Sequence, residues 1–164
     1  MAQFSFDIVS EYDKAEMNNV FQLVEREIGN RYDFKGTKAA VEWLPDKKGL
    51  KIIGDTEYQV EAIIDMVRSK LAARNQSSKV LDLSQNTQES NLRAMKDVPF
   101  KEGLDQDKAK KITKLLREQL PKVKTQIQGE SVRVMSPKKD ELQAAMQIIT
   151  TAEFDFPVNF TNYR

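Results

Sequence analysis

Three features of the sequence predict an α+β chain folded as two similar halves, each a four-stranded antiparallel sheet with two helices on one face. Short runs such as FSFDIVS and SVRVM alternate apolar and polar residues, the period-two pattern of half-buried strands. Longer runs between them carry apolar residues every three or four positions, most behind a capping side chain. The order strand–helix–strand–strand–helix–strand then occurs twice along the 164 residues.

The first pass opens with a strand from Phe4 to Ser10, in which Phe4, Phe6 and Ile8 oppose Ser5, Asp7 and Val9. Asp13 caps a helix, with Glu16 placed to complete a capping box. Met17, Val20, Phe21, Val24 and Ile28 form its apolar stripe, and Gly29 is expected to close it. A strand near Ala39 to Leu44, a Pro-Asp-Lys-Lys-Gly turn and the strand LKIIGD follow. Thr56 and Gln59 cap the next helix, which buries Val60, Ile63, Ile64, Val67 and Leu71. KVLDL, Lys79 to Leu83, is expected to be the fourth strand.

After the polar connector SQNTQESN, RAMKDVPF from Arg93 to Phe100 begins the second pass as a strand. Asp105 starts a helix carrying Ala109, Ile112, Leu115 and Leu116. Gly129-Glu130 suits a two-residue type II′ turn between VKTQIQ and SVRVM, which pairs Gln128 with Ser131, Ile127 with Val132 and Gln126 with Arg133. Ser136-Pro137 is expected to begin the last helix, and DFPVNF the last strand. With right-handed crossovers this order gives the ferredoxin-like (βαββαβ) arrangement twice, residues 1–84 in the first domain and 85–164 in the second.

The composition narrows the chemistry. Lys and Arg number 26 against 25 Asp and Glu, for a net charge of +1, so bulk attraction to polyanions is not indicated. The chain has no cysteine and no histidine. It therefore has no thiolate nucleophile, no zinc–thiolate site and neither the commonest general base nor the commonest metal ligand. No apolar run is long enough to cross a bilayer, and no charged-then-apolar leader begins at Met1. The expectation is a non-enzymatic, cytoplasmic binding protein with no catalytic residues, cofactor or metal.

Two familiar motifs are rejected on context. GLKIIGDT has the glycine spacing of a phosphate-binding loop, but Leu50 to Ile53 are strand and Asp55 stands where a lysine is needed. QIQGESVR echoes the acylphosphatase arginine loop, yet its glycine sits in a strand–strand hairpin. Three other places hold candidate contacts. Ser136, Lys138 and Lys139 put cations at a helix start that ordinarily favours anions, and Arg133 lies on the donor-rich open sheet face nearby. RYDFKG, read as extended, puts Tyr32 and Phe34 on one side, with Arg31 and Lys35 beside Trp43 as a second anion and base group. Lys110, Lys114 and Arg117 form one face of the lysine-rich helix, suited to a nucleic-acid backbone. Each also has a plain reading, as solvated strand, compensated helix start, domain seam or wet helix face.

RYDFKGTKA, AKKITKLLREQLPKVKTQIQGESVRV, KKDELQ and the closing NFTNYR together resemble the YajQ family of bacterial nucleotide-binding proteins, in one order across the chain. The departure is MSPKKDELQ, where the family pattern carries a glycine and a further basic residue. The resemblance implies a pseudo-dimer of two ferredoxin-like domains with first strands exchanged, so that 4–10 and 93–100 change places. It also implies purine nucleotides, cyclic di-GMP or RNA as ligands, and a regulatory role with a protein partner. The reading is thus a non-enzymatic nucleotide-binding regulator. The alternatives are an RNA-binding protein acting through the lysine helix and a protein-interaction adaptor without ligand.

Overall fold

The structure, a computed structural model, describes residues 3–164, so the expected lack of a leader at Met1 lies outside the described residues. Along the chain run β1 (Phe4–Val9), α1 (Lys14–Asn30), β2 (Ala40–Trp43), β3 (Gly49–Gly54), α2 (Glu57–Ala73), β4 (Gln88–Ser90) and β5 (Arg93–Pro99). Then come α3 (Gln106–Gln119), β6 (Lys124–Gln128), β7 (Ser131–Ser136), α4 (Lys139–Thr151) and β8 (Asn159–Thr161). Local chemistry sets three of the four helix starts. The side chains of Asp13, Thr56 and Asp105 accept the amides of Glu16, Gln59 and Lys108, which would otherwise be orphaned at the helix starts.

The strands form two four-stranded antiparallel sheets, ordered β6-β7-β1-β8 and β2-β3-β5-β4. In a βαββαβ unit the first strand lies between the third and the fourth. β5 takes that place between β3 and β4, and β1 takes it between β7 and β8. The first strands are therefore exchanged, as the family resemblance implies. One compact unit is Tyr12–Lys101, and the other joins the segment ending at Glu11 to Glu102–Arg164.

Each unit has its own core. In Tyr12–Lys101 the helix stripes Met17, Val20, Val24 and Val60, Ile63, Ile64, Val67, Leu71 close over Val41, Leu50, Ile52, Ala94 and Val98. In the other, Phe6 and Ile8 of β1 and Val132 and Val134 of β7 pack under Ala109, Ile112, Leu116, Leu142, Ala145 and Ile149. The β6–β7 hairpin has the expected register, Gln128↔Ser131, Ile127↔Val132 and Gln126↔Arg133. Gly129 sits at φ 59° while Glu130 keeps a negative φ, as a type II′ turn requires.

Several local expectations are corrected. KVLDL is not a strand: Ser78–Val80 winds as a 3₁₀ turn, and Leu81 keeps one bridge, to Phe100. Val80 and Leu81 are both buried, and alternation cannot send two successive residues to one side of a sheet. The fourth strand comes instead from the polar connector, where Asn91 and Leu92, both at positive φ, turn Gln88–Ser90 back along β5. Gly29 does not close α1, which runs on to Asn30. Glu16 does not complete its capping box, because Arg74 takes its carboxylate through two hydrogen bonds of 2.7 and 2.9 Å. The last helix begins at Lys139 and not at Ser136-Pro137. Ser136 ends β7, and its hydroxyl accepts the Lys138 amide and donates to Glu141 Oε2 at 2.6 Å.

Candidate functional site

In the Tyr12–Lys101 unit, the start of α1 and the β2–β3 connection enclose a cleft of about 260 Å³. Tyr12, Lys14, Met17 and Asn18 line it from the helix side; Trp43, Asp46, Lys47 and Lys48 line it from the strand side. Local sequence explains both walls. The Asp13 cap fixes where α1 begins, so Lys14 and Asn18 stand one turn apart at the mouth. Opposite, Pro45–Lys47 forms a tight turn in which Asp46 at φ 58° and Lys47 at φ 56° are left-handed. Two successive non-glycine residues in the left-handed region cost about 1 kcal/mol or more each, and such strain collects at binding sites.

The aromatic wall is held from behind. Phe21 stacks on one face of Trp43, with ring centroids 4.5 Å apart and planes 14° apart. The Lys47 ammonium lies 5.3 Å from the Trp43 ring centroid and donates to Asn18 Oδ1 at 3.3 Å. Tyr12 is steadied edge-on by Phe100 at 5.1 Å. Neither Lys14 nor Lys48 joins an ion pair among the described residues. With Lys47 they oppose the single carboxylate of Asp46, so the mouth is cationic. A planar ring and ammoniums without ion-pair partners lining one cleft suit a heteroaromatic ligand carrying a negative charge.

The structure distributes the sequence candidates differently. Trp43 belongs to the cleft, but Arg31 and Lys35 do not reach it. Arg31 follows the far end of the 17-residue α1, roughly 25 Å from its start. Its guanidinium forms a bidentate pair with Asp33, at 3.0 and 2.7 Å, and covers the Phe34 ring at 4.4 Å. That hydrogen-bonded guanidinium holds the Asp33 carboxyl below its usual range. Lys35 lies 5.8 Å from the Tyr32 ring. RYDFKG is not extended: Tyr32–Phe34 is a 3₁₀ turn, which leaves Tyr32 86% exposed and buries Phe34 in the core. An i→i+3 winding separates the two rings that a strand would have placed together.

Arg133 and Ser136 are three residues apart on β7 and so project to opposite faces of the sheet. Arg133 donates through Nε to Asp7 Oδ1 at 3.0 Å, and Asn162 donates to the other oxygen at 2.9 Å. Asp7 is 5% exposed, and the bond from Arg133 holds its carboxyl below the ordinary 3.8 against the opposing effect of burial. Ser136 is buried with its hydroxyl engaged, whereas Lys138 is exposed and Lys139 lies 4.9 Å from the Phe4 ring. Lys110, Lys114 and Arg117 are exposed along α3 and take part in no ion pair among the described residues. No group of three carboxylates suited to a metal occurs among the described residues, and no described helix is long and apolar enough to cross a membrane.

Tyr12, Lys14, Asn18, Asp46, Lys47 and Lys48 were not legible as site residues. The one available signal was the Lys47-Lys48 pair a few positions beyond the only tryptophan, in a turn that folds back on its own strand.

The family described as "Nucleotide-binding protein YajQ-like" matches residues 4–164. Similar proteins, each named a nucleotide-binding protein, include one from Nocardioides sp., 43% identical, and one from Mycolicibacterium gilvum, 41% identical, both over the full length of each chain. Another, from Colwellia psychrerythraea, is 42% identical over 98% of each chain.

Proposed function

The chain belongs to the YajQ-like nucleotide-binding protein family, and from that premise we propose that it binds purine nucleotides, cyclic di-GMP among them, without turning them over, as a regulatory protein of the cytoplasm. The observation that carries this reading is the Trp43 cleft, lined by one indole ring together with Lys14, Lys47 and Lys48. Its volume of about 260 Å³ is close to the lower end of small-molecule sites, roughly 300 Å³. That suits one base and its sugar, with phosphate at the rim beside Lys14 and Lys48. A cyclic dinucleotide seats one of its guanine halves there and leaves the other outside.

Trp43 is the only tryptophan, so its fluorescence reports binding directly. Titration with GMP, GTP and cyclic di-GMP is expected to quench it, and a ligand that binds only the folded form raises the melting temperature by mass action. Lys14→Ala/Lys48→Ala is expected to weaken binding by about tenfold or more. An unmoved spectrum and an unmoved melting curve across the nucleotide panel overturn the reading. The start of α4 is the competing location, with Lys138 and Lys139 as phosphate contacts beside Ser136, while Arg133 on the other sheet face stays with Asp7. Loss of binding in Lys138→Ala/Lys139→Ala, with the cleft variants unaffected, moves the site there. Loss only in Arg31→Ala/Lys35→Ala moves it to the RYDFKG turn.

A second reading rests on α3, where the exposed Lys110, Lys114 and Arg117 lack ion-pair partners among the described residues. Such a stripe binds an RNA backbone with an affinity that falls steeply with salt, less steeply once Lys110→Ala/Lys114→Ala removes charge. Salt-insensitive or undetectable RNA binding removes this reading. A regulatory protein partner that persists in pull-downs after every nucleotide is stripped favours an adaptor role.

A further inference from the structure

We propose that Lys47 is a ligand-displaced lid on the stacking face of Trp43, so that the cleft selects planar bases carrying phosphate over the same bases without it. This rests on the nucleotide reading of the cleft and names the residue that enforces its preference. Trp43 has two faces. Phe21 covers one, with ring centroids 4.5 Å apart, which leaves no room there for an ammonium. Lys47, 5.3 Å from the ring centroid, therefore occupies the other face, the one turned to the cleft. A base can stack on Trp43 only by displacing it.

The rest of the geometry holds the lid closed until a suitable ligand arrives. Lys47 sits in a left-handed turn, at φ 56°, directly after Asp46 at φ 58°, and its side chain lies back over Trp43 of its own hairpin. Its ammonium is tied down by Asn18 Oδ1, on the opposite wall, at 3.3 Å. It is also exposed, so moving it breaks one hydrogen bond and one cation–π contact and no core packing. Stacking of a base on an aromatic ring outweighs an exposed cation–π contact, so displacement is favourable once the ammonium finds a new partner. A nucleoside offers only neutral acceptors, weaker partners for an ammonium than an anion. A nucleotide brings a phosphate, and the displaced ammonium can join it. Lys14 and Lys48 attract the same phosphate but do not obstruct the base, since neither lies over the ring.

The test compares GMP with guanosine and AMP with adenosine by Trp43 fluorescence titration, in the wild type, Lys47→Ala, Lys47→Gly and Lys48→Ala. Both Lys47 variants are expected to bind the nucleosides about threefold or more tighter, because the stacking face is open. Their preference for nucleotide over nucleoside falls by about tenfold. Lys47→Gly relieves the left-handed strain that Lys47→Ala retains, so an effect common to both belongs to the lost side chain. Lys48→Ala weakens the nucleotides and leaves the nucleosides unchanged. Nucleoside affinity that stays constant or drops in both Lys47 variants, while the wild type binds GMP, overturns the lid and leaves the site standing. A wild type that binds neither form removes the site and the lid together.

Discussion

Gly49→Ala tests the packing behind the cleft. Gly49 begins β3 opposite Pro99. A Cβ there would stand 2.6 Å from Pro99 Cα, 2.6 Å from the Val98 carbonyl oxygen and 2.7 Å from Leu44 Cδ1. Ordinary contact begins at 3.4 Å, so two backbone atoms of β5 would have to retreat by most of an ångström. Here β5 is paired with β3 on one side and its Pro99 carbonyl accepts the Asp82 amide at 2.9 Å, so it cannot retreat freely. Overpacking against a flexible side chain costs about 1 kcal/mol; against a fixed backbone about 2–3 kcal/mol is expected. For a unit the size of Tyr12–Lys101 that is a fall in Tm of about 10 °C or more. Trp43 pairs with Leu50, the residue after Gly49, so its emission reads the unfolding of this unit in urea or on heating. The Lys48 carbonyl accepts the Phe100 amide at 2.9 Å and Leu44 donates to the Gly49 carbonyl at 2.9 Å, so nucleotide binding should weaken as well. A variant within about 0.5 kcal/mol of the wild type would show that the strands part freely here and that the close approach constrains nothing.

Three further outcomes follow from single residues. The Asp7 carboxyl is held below its ordinary 3.8 by Arg133, so its contribution to stability is present above that value and is lost as pH falls through its lower folded value. Urea midpoints between pH 5 and pH 2 should therefore drop less in Asp7→Asn than in the wild type; equal slopes refute the coupling. Phe34→Ala, in the core of its unit, should cost about 3–5 kcal/mol in urea unfolding, whereas Tyr32→Ala, two residues away and exposed, should cost about 0.5 kcal/mol or less. Leu92 is 85% exposed at φ 64°, so Leu92→Gly should stabilise the β4–β5 turn by about 1 kcal/mol in thermal melts, and a lower Tm would contradict the strain.

Much of the fold was legible because its signals are local. Asp13, Thr56 and Asp105 mark helix starts through bonds to amides three residues on, and nothing distant has to be known. The Gly129 turn sets the β6–β7 register, and with it which side chains share a face, because a two-residue loop permits one pairing. The misreadings have a common cause. KVLDL and RYDFKG carry strand-like composition, but Val80, Leu81 and Phe34 are drawn into the core that α1 and α2 share with their sheet, and the backbone winds to deliver them. The real fourth strand, Gln88–Ser90, has no apolar alternation because all three of its residues are exposed at a sheet edge.

The candidate site was less legible still. Trp43 stood out as the only one of its kind, yet its neighbours in the cleft come from the start of α1 and from a turn whose second left-handed residue, Lys47, no local rule assigns. Arg133 looked free for phosphate because β7 was read alone. β1 lies beside it, 126 residues earlier in the chain, and brings Asp7 opposite.

By itself the sequence determined the element order, the duplication, the caps and the chemistry denied to a chain without imidazole or thiol, since each depends on residue type or on neighbours within a turn. Tertiary structure alone decided which cations are already spent and which lack an ion-pair partner among the described residues, and which ring and which ammonium cover Trp43. Those outcomes depend on the exchange of β1 and β5 and on side chains meeting across elements, where distance in space and not spacing along the chain governs the energy.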